Sequence, residues 1–329
     1  MKKLLSIALL TSLTVLGACS QESTTAENET SAAELEQVLV AEAFHTLLYL
    51  PLYVADHEGI FEENGIELTG IRAAGTGPTA LSSVLAGEAQ FSIHGPEHVG
   101  FAKENGGNAK AVSAVANSAP VWILANEDVE FSNPEDLAGK KIIVGLAPGT
   151  SNTLLKYLLE NAGLDESDVE ITEVQNGSEL GPVIAGQADL AVAYQPQVEQ
   201  GISQGLKIVH EFPNDFPEFA FSTANTSQQL IEENPELVEN FVKSLSDSLE
   251  VIHSNPDIAK EVAIEEFPEL EADVVEAAVQ RMIDNNVYPQ SSTVTEAAFE
   301  AAIEMQKFVG NITTDMPYED VVDPSFAAE

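Results

Sequence analysis

Cysteine occurs once in this 329-residue chain, at Cys19, tryptophan once, at Trp122, and arginine twice, at Arg72 and Arg281. A single thiol excludes a disulfide framework. Lysine and arginine together number 13 against 54 aspartates and glutamates, and that sign excludes a nucleic-acid partner, whose phosphates need clustered cations. The hydrophobic stretch Leu4 to Leu16 is too short to span a hydrocarbon core of about 30 Å.

What is there begins with that stretch. Lys2-Lys3, the apolar run and the small residues Gly17-Ala18 before Cys19 read as a secretory leader. The end Leu16-Gly17-Ala18-Cys19 resembles a bacterial lipobox, which implies cleavage before Cys19, a diacylglycerol on its thiol, and a membrane tether outside the cytoplasm. Residues 1–19 are the expected lipoprotein signal peptide and 20–37 a flexible tether, rich in Ser, Thr, Glu and Asn. Past the leader, 54 acids face 11 bases, and the acids are spread along the chain as a solvated surface.

From Val38 short apolar runs alternate with helical stretches, the pattern of an α/β fold. Strands are predicted at Gln37–Ala43, Ile66–Ala73, Gln90–Ile93, Ala111–Ala116, Val121–Ala125, Lys141–Gly145, Val169–Val174, Leu190–Ala193 and Lys207–His210. Pro51, Pro78, Pro96 and Pro196 mark helix starts, where a missing N–H costs nothing. After Thr226 only helices are predicted, with Asn234-Pro235 and Asn255-Pro256 as cap-plus-proline starts. Leu85-Ala-Gly-Glu-Ala-Gln-Phe-Ser-Ile93 recurs 99 positions on as Ile184-Ala-Gly-Gln-Ala-Asp-Leu-Ala-Val192. Two similar α/β lobes with a cleft between them follow from that repeat.

The run Leu50-Pro-Leu-Tyr-Val-Ala-Asp-His-Glu-Gly-Ile-Phe-Glu-Glu-Asn-Gly-Ile66 resembles the opening helix of the nitrate/sulfonate/taurine and thiamin-pyrimidine (NMT1/THI5-like) substrate-binding proteins of ABC importers. Leu85 to Phe91, Asn133-Pro-Glu-Asp-Leu-Ala-Gly-Lys-Lys-Ile142 and Asn234-Pro-Glu-Leu-Val-Glu-Asn-Phe241 carry the same resemblance, over residues 38 to about 310. It implies a type II periplasmic-binding-protein fold: two α/β lobes joined by two crossing strands around a ligand cleft. Lobe one is then 38–122 plus the helical 222–329, and lobe two 123–221. It also implies a monomer without a cofactor or catalysis, passing a small molecule to an ABC permease and its ATPase. A ligand-sensing surface lipoprotein is the alternative, and an enzyme on the same fold a further one.

Gly75-Thr76-Gly77-Pro78-Thr79-Ala80 matches the G-x-G-x-x-A dinucleotide fingerprint, but Pro78 sits inside it and no acid ends the next strand. Thr76 and Gly77 are therefore read as a plain N-cap or as donors to a ligand, and so are Thr150, Ser151 and Asn152 after Pro148-Gly149. His45 and Thr46 follow the first strand, where the resemblance puts ligand-facing residues. His94 and Glu97 follow the third as cleft lining. With His98 they have tolerable metal-ligand spacing, but a Gly-Pro break interrupts it and no metal site is expected. Trp122 at the crossing is either a core aromatic or a stacking wall. Tyr194 and Gln195 are the second copy's counterpart of Gly95, and Asn117 and Asn176, each just past a strand, complete the set. A flat nitrogen heterocycle, such as a thiamin-pyrimidine precursor, suits these side chains better than a sulfonate or nitrate, although helix N-termini leave the anion open.

Overall fold

The computed structural model of the chain describes residues 35–147 and 149–327. The leader, Cys19, Pro148 and the tether up to residue 34 lie outside the described residues. Ten strands form two five-stranded mixed sheets. The first holds β1 (Glu36–Glu42), β2 (Ile66–Ala73), β3 (Phe91–His94), β4 (Ala109–Ala116) and β10 (Ser222–Ser227), in the order β2-β1-β3-β10-β4. The second holds β5 (Trp122–Asn126), β6 (Lys141–Gly145), β7 (Glu170–Val174), β8 (Leu190–Ala193) and β9 (Leu206–Glu211), in the order β7-β6-β8-β5-β9.

The two orders are the same pattern. β1 lies parallel between β2 and β3, and β6 lies parallel between β7 and β8. β10 then runs antiparallel between β3 and β4, as β5 does between β8 and β9. The repeated segment ends in β3 in one lobe and β8 in the other, so the sequence repeat is a repeat of sheet position. Each lobe borrows its antiparallel strand from a crossing of the chain, at 117–121 into β5 and at 216–221 into β10.

β10 corrects the expectation that residues from 222 onward are helical. Its sequence Ser-Thr-Ala-Asn-Thr-Ser has one apolar side chain, yet its first five residues are buried. The hydroxyls and amide are satisfied by the neighbouring strand: Thr223 Oγ1 donates to the His94 carbonyl, Asn225 Nδ2 to that of Ser92 and Thr226 Oγ1 to that of Gln90. β1 starts at Glu36, so the tether ends before residue 36 rather than at 37. β2, β6 and β8 have the expected bounds, and the ends of the other expected strands differ by at most two residues, the usual fraying of element boundaries.

Helices cover the sheets. Leu50–His57 has Pro51 in its first turn and buries its first six residues, making it a core helix rather than a surface one. Pro235–Ser254 is capped by the Asn234 side chain, which accepts from the Leu237 N–H, and Phe241 stacks on Phe91 with centroids 3.7 Å apart. The apolar core is continuous across the lobes. One cluster joins Val40 and Phe91 of the first sheet to Trp122 and Ala191 of the second, and another joins Leu154 to Phe299 and Ile303 of the Glu296–Phe308 helix. No helix among the described residues is long and apolar enough to cross a membrane.

Candidate ligand-binding cleft

A cavity of about 570 Å³ opens where the carboxyl ends of both sheets meet, within the 300–1,000 Å³ usual for small-molecule sites. The first sheet contributes the loop after β1, from Ala43 to Tyr49, and the exit of β3 at His94 and Gly95. The second contributes Gly149 and Thr150 after β6, Asn176 and Gly177 after β7, and Tyr194 to Gln197 after β8. Phe221 and Ser222 close it at the second crossing, and Phe267, Glu269 and Leu270 at the corner between two C-terminal helices.

Of the residues singled out in the sequence, His45, Thr46, Gly77, His94, Glu97, Thr150, Asn176, Tyr194 and Gln195 stand in this wall. Five do not. Trp122 is 0% exposed, packed in the core with its Nε1 donating to Glu211 Oε2 at 3.2 Å, so its ring is no stacking wall. Asn117 accepts from the Phe219 N–H and ties the two crossings together. Asn152 points away, donating to the Gly145 carbonyl and Glu173. Ser151 meets the site only through its backbone N–H, which donates to Tyr194 Oη at 2.9 Å. Thr76 is the N-cap of the Gly77–Leu85 helix, accepting from the Thr79 N–H. Phe44, Tyr49, His98, Phe221, Phe267 and Glu269 line the cavity without having been singled out for it. Phe44, 46% exposed, carried a signal in its place next to His45; Phe267 and Glu269 carried none, more than 200 residues further on.

Electrostatics give each histidine a distinct state. His94 is buried, and burial, with the nearby His98 second, pushes its pKa down to about 3. It is therefore neutral. Its Nδ1 lies 2.9 Å from the Gly95 carbonyl, which only accepts, so Nδ1 carries the proton and Nε2 accepts from the Ser92 hydroxyl at 2.9 Å. Both nitrogens are engaged, which leaves no lone pair for a metal or a ligand and turns only ring surface to the cavity. His45 is the opposite case. Its Nδ1 donates to Glu42 Oε1 at 3.1 Å, and that bond, aided by the charges of Glu42 and Glu266, outweighs burial and raises its pKa. Its ring stacks on Phe267 at 4.5 Å. Glu42, 2% exposed, also accepts from Tyr53 Oη at 2.6 Å, which fixes the loop after β1.

Gly77 has a packing reason for its place in the G-x-G-x-x-A stretch. A Cβ there would lie 2.5 Å from the His98 ring, whose own plane stands nearly perpendicular to that of His94 at 5.3 Å. In the second lobe, burial raises the pKa of Tyr194, holding the phenol neutral. Among the described residues no lysine or arginine lines the cavity. Arg72, the one arginine near a cleft loop in the sequence, is half exposed and bonds Ser83 and Glu88 instead.

Two α/β lobes on a shared core, with one cavity at the carboxyl ends of both sheets, define a solute-binding protein of the type II periplasmic-binding fold. The chain belongs to the NMT1/THI5-like family, whose sequence model matches residues 48–259. It is 23% identical over 319 residues to YtlA of Bacillus subtilis (strain 168), covering 95% of this chain and 92% of that one. It is 26% identical over 261 residues to the riboflavin-binding protein RibY of Chloroflexus aurantiacus, covering 76% and 71%. The crystal structure of a ligand-binding component of an ABC-type import system from Staphylococcus aureus superposes with a TM-score of 0.70 at 12% identity, over 88% of this chain and 97% of that one.

Proposed function

We propose that this protein captures a small, flat, nitrogen-bearing molecule, neutral or cationic, and delivers it to an ABC permease and its ATPase from a lipid anchor on Cys19. The observation that carries this reading is the make-up of the cavity wall. Ring surfaces of Phe44, His45, Tyr49, His94, Phe221 and Phe267 meet there with the carboxylates of Glu97 and Glu269, and among the described residues no lysine or arginine joins them. A planar ring gains from such faces, and a ring N–H or amino group gains from the carboxylates. A sulfonate or nitrate would face those carboxylates without a guanidinium to offset them. Riboflavin binding by RibY and the thiamin-pyrimidine branch of the family fit the same chemistry. Micromolar affinity requires about −8.2 kcal/mol, within reach of one aromatic stack and a few charge-assisted hydrogen bonds.

The test is mass spectrometry of ligand released from the purified protein, followed by calorimetric titration with 4-amino-5-hydroxymethyl-2-methylpyrimidine, riboflavin, taurine and nitrate. A heterocycle recovered or bound supports the reading. Binding of taurine or nitrate alone replaces it with the anion alternative, and binding of no solute, with no permease gene alongside, leaves the sensing alternative.

A further inference from the structure

One of the two arginines of the chain joins the two halves of the molecule beside the cavity. Arg281 lies in the last turn of the Ala272–Asp284 helix, which packs on the Pro256–Glu266 helix of lobe one and on the Gln197–Ser203 helix of lobe two. Its Nε donates to Glu199 Oε1 at 2.5 Å, and Glu199 lies in the first turn of the Gln197–Ser203 helix, which packs on the second. Glu199 is 6% exposed. Among the described residues every other ion pair stays within one half.

The same carboxylate reaches the cavity wall. Glu199 Oε1 also accepts from Gln195 Nε2 at 3.2 Å, and Gln195 Oε1 accepts from the Glu199 N–H at 3.4 Å. Gln195 lines the cavity. A cation of lobe one, a carboxylate of lobe two and an amide of the site therefore form one connected chain.

We propose that Arg281 is an inter-lobe positioning residue: its pair with Glu199 holds the lobes at the spacing that gives the cavity its ligand-sized volume and fixes the Gln195 amide in its wall. Separating the two helices breaks the pair and leaves a nearly buried carboxylate without its cation, a costly state for a buried charge. The pair thus biases a hinge equilibrium toward the arrangement described here. Neutralising either partner removes the bias, and a ligand must then supply it from its own binding energy.

The experiment measures lobe spacing without any ligand. Nitroxide labels at Ser82→Cys and Glu160→Cys, both exposed and one on each lobe, are introduced into the full chain carrying Cys19→Ser, and electron–electron distances are recorded. Arg281→Gln and Glu199→Gln should each lengthen and broaden the distribution. The double variant should be no wider than either single one, and Arg281→Lys should retain more of the wild-type order than Arg281→Gln. Two partners are varied so that a folding failure in one leaves the other to decide. A wild-type distribution in the folded single variants overturns the proposal. The affinity arm rests on the proposed binding role and uses 4-amino-5-hydroxymethyl-2-methylpyrimidine as probe, with about tenfold weaker binding expected for Arg281→Gln. If wild type does not bind that probe, the pyrimidine is ruled out as its ligand while the distance measurement still decides the role of Arg281.

Discussion

Asn117 Oδ1 accepts a hydrogen bond from the backbone N–H of Phe219 at 3.2 Å, so the two segments that cross between the lobes are fastened to each other 102 residues apart. Phe219 is buried, and its N–H loses a partner if Asn117 becomes Ala. Asn117→Ala should destabilise the protein by about 1–3 kcal/mol, the cost of leaving a buried donor unpaired. Asn117→Asp, which keeps the acceptor, should lose less. Urea unfolding midpoints measure both, and a midpoint for Asn117→Ala equal to wild type would show that the fastening contributes nothing.

Gly77→Ala should disturb the cleft through His98 rather than through the backbone. The added methyl requires His98 to move, at a cost of about 1–3 kcal/mol for overpacking. Gly77→Ala combined with His98→Ala should recover much of that loss, because the space is then free. Thermal unfolding of the two single variants and the double variant gives the coupling, and simple additivity would refute a shared space.

His94 makes stability fall on the acid side. Its folded pKa, about 3, lies below the unfolded value of about 6.5, so between those limits the unfolded chain holds the extra proton. Stability therefore rises with pH across that window, by up to about 1.4 kcal/mol per pH unit from this residue. His94→Gln should flatten the slope between pH 6.5 and 4.5 in urea titrations. An unaltered slope would mean that other groups carry it.

The sign reverses at His45. Its folded pKa is raised by Glu42, so the stabilisation from its protonated form is fully present below about pH 6.5 and disappears as pH rises through the folded value. His45→Gln should remove that alkaline loss just above pH 6.5 and leave the acid limb alone. Nuclear magnetic resonance titration of the imidazole, compared with an unfolded peptide, checks the direction independently.

Much of this arrangement is written locally in the chain. Nine of the ten strands have apolar runs or apolar–polar alternation to mark them, and the Leu85 and Ile184 copies mark equivalent places in the two sheets. β10 escaped because Thr223, Asn225 and Thr226 are buried by hydrogen bonding to neighbouring backbone, which leaves no hydrophobic periodicity to read. The site was legible where side chains follow directly on strand ends, as at His45, His94 and Tyr194. Trp122 was ambiguous because its place at a crossing suits either a wall or a core, and only the Glu211 bond and full burial distinguish them. Phe267 and Glu269 reach the cavity by tertiary packing of helices, which no local pattern encodes.

The position of β10 also sets an order of events for the growing chain. Every strand of the second sheet has been made once Glu211 is in place, and all of them come from one uninterrupted stretch beginning at Trp122. The first sheet stays in two pieces, β2-β1-β3 on one side and β4 on the other, until Ser222–Ser227 slides between them. The half that is synthesised first is thus the half that closes last, and it closes by the insertion of a polar strand. Until then the edges of β3 and β4 stand open to pairing, which makes residues 222–227 the segment that decides whether the first sheet closes on itself or pairs with another chain.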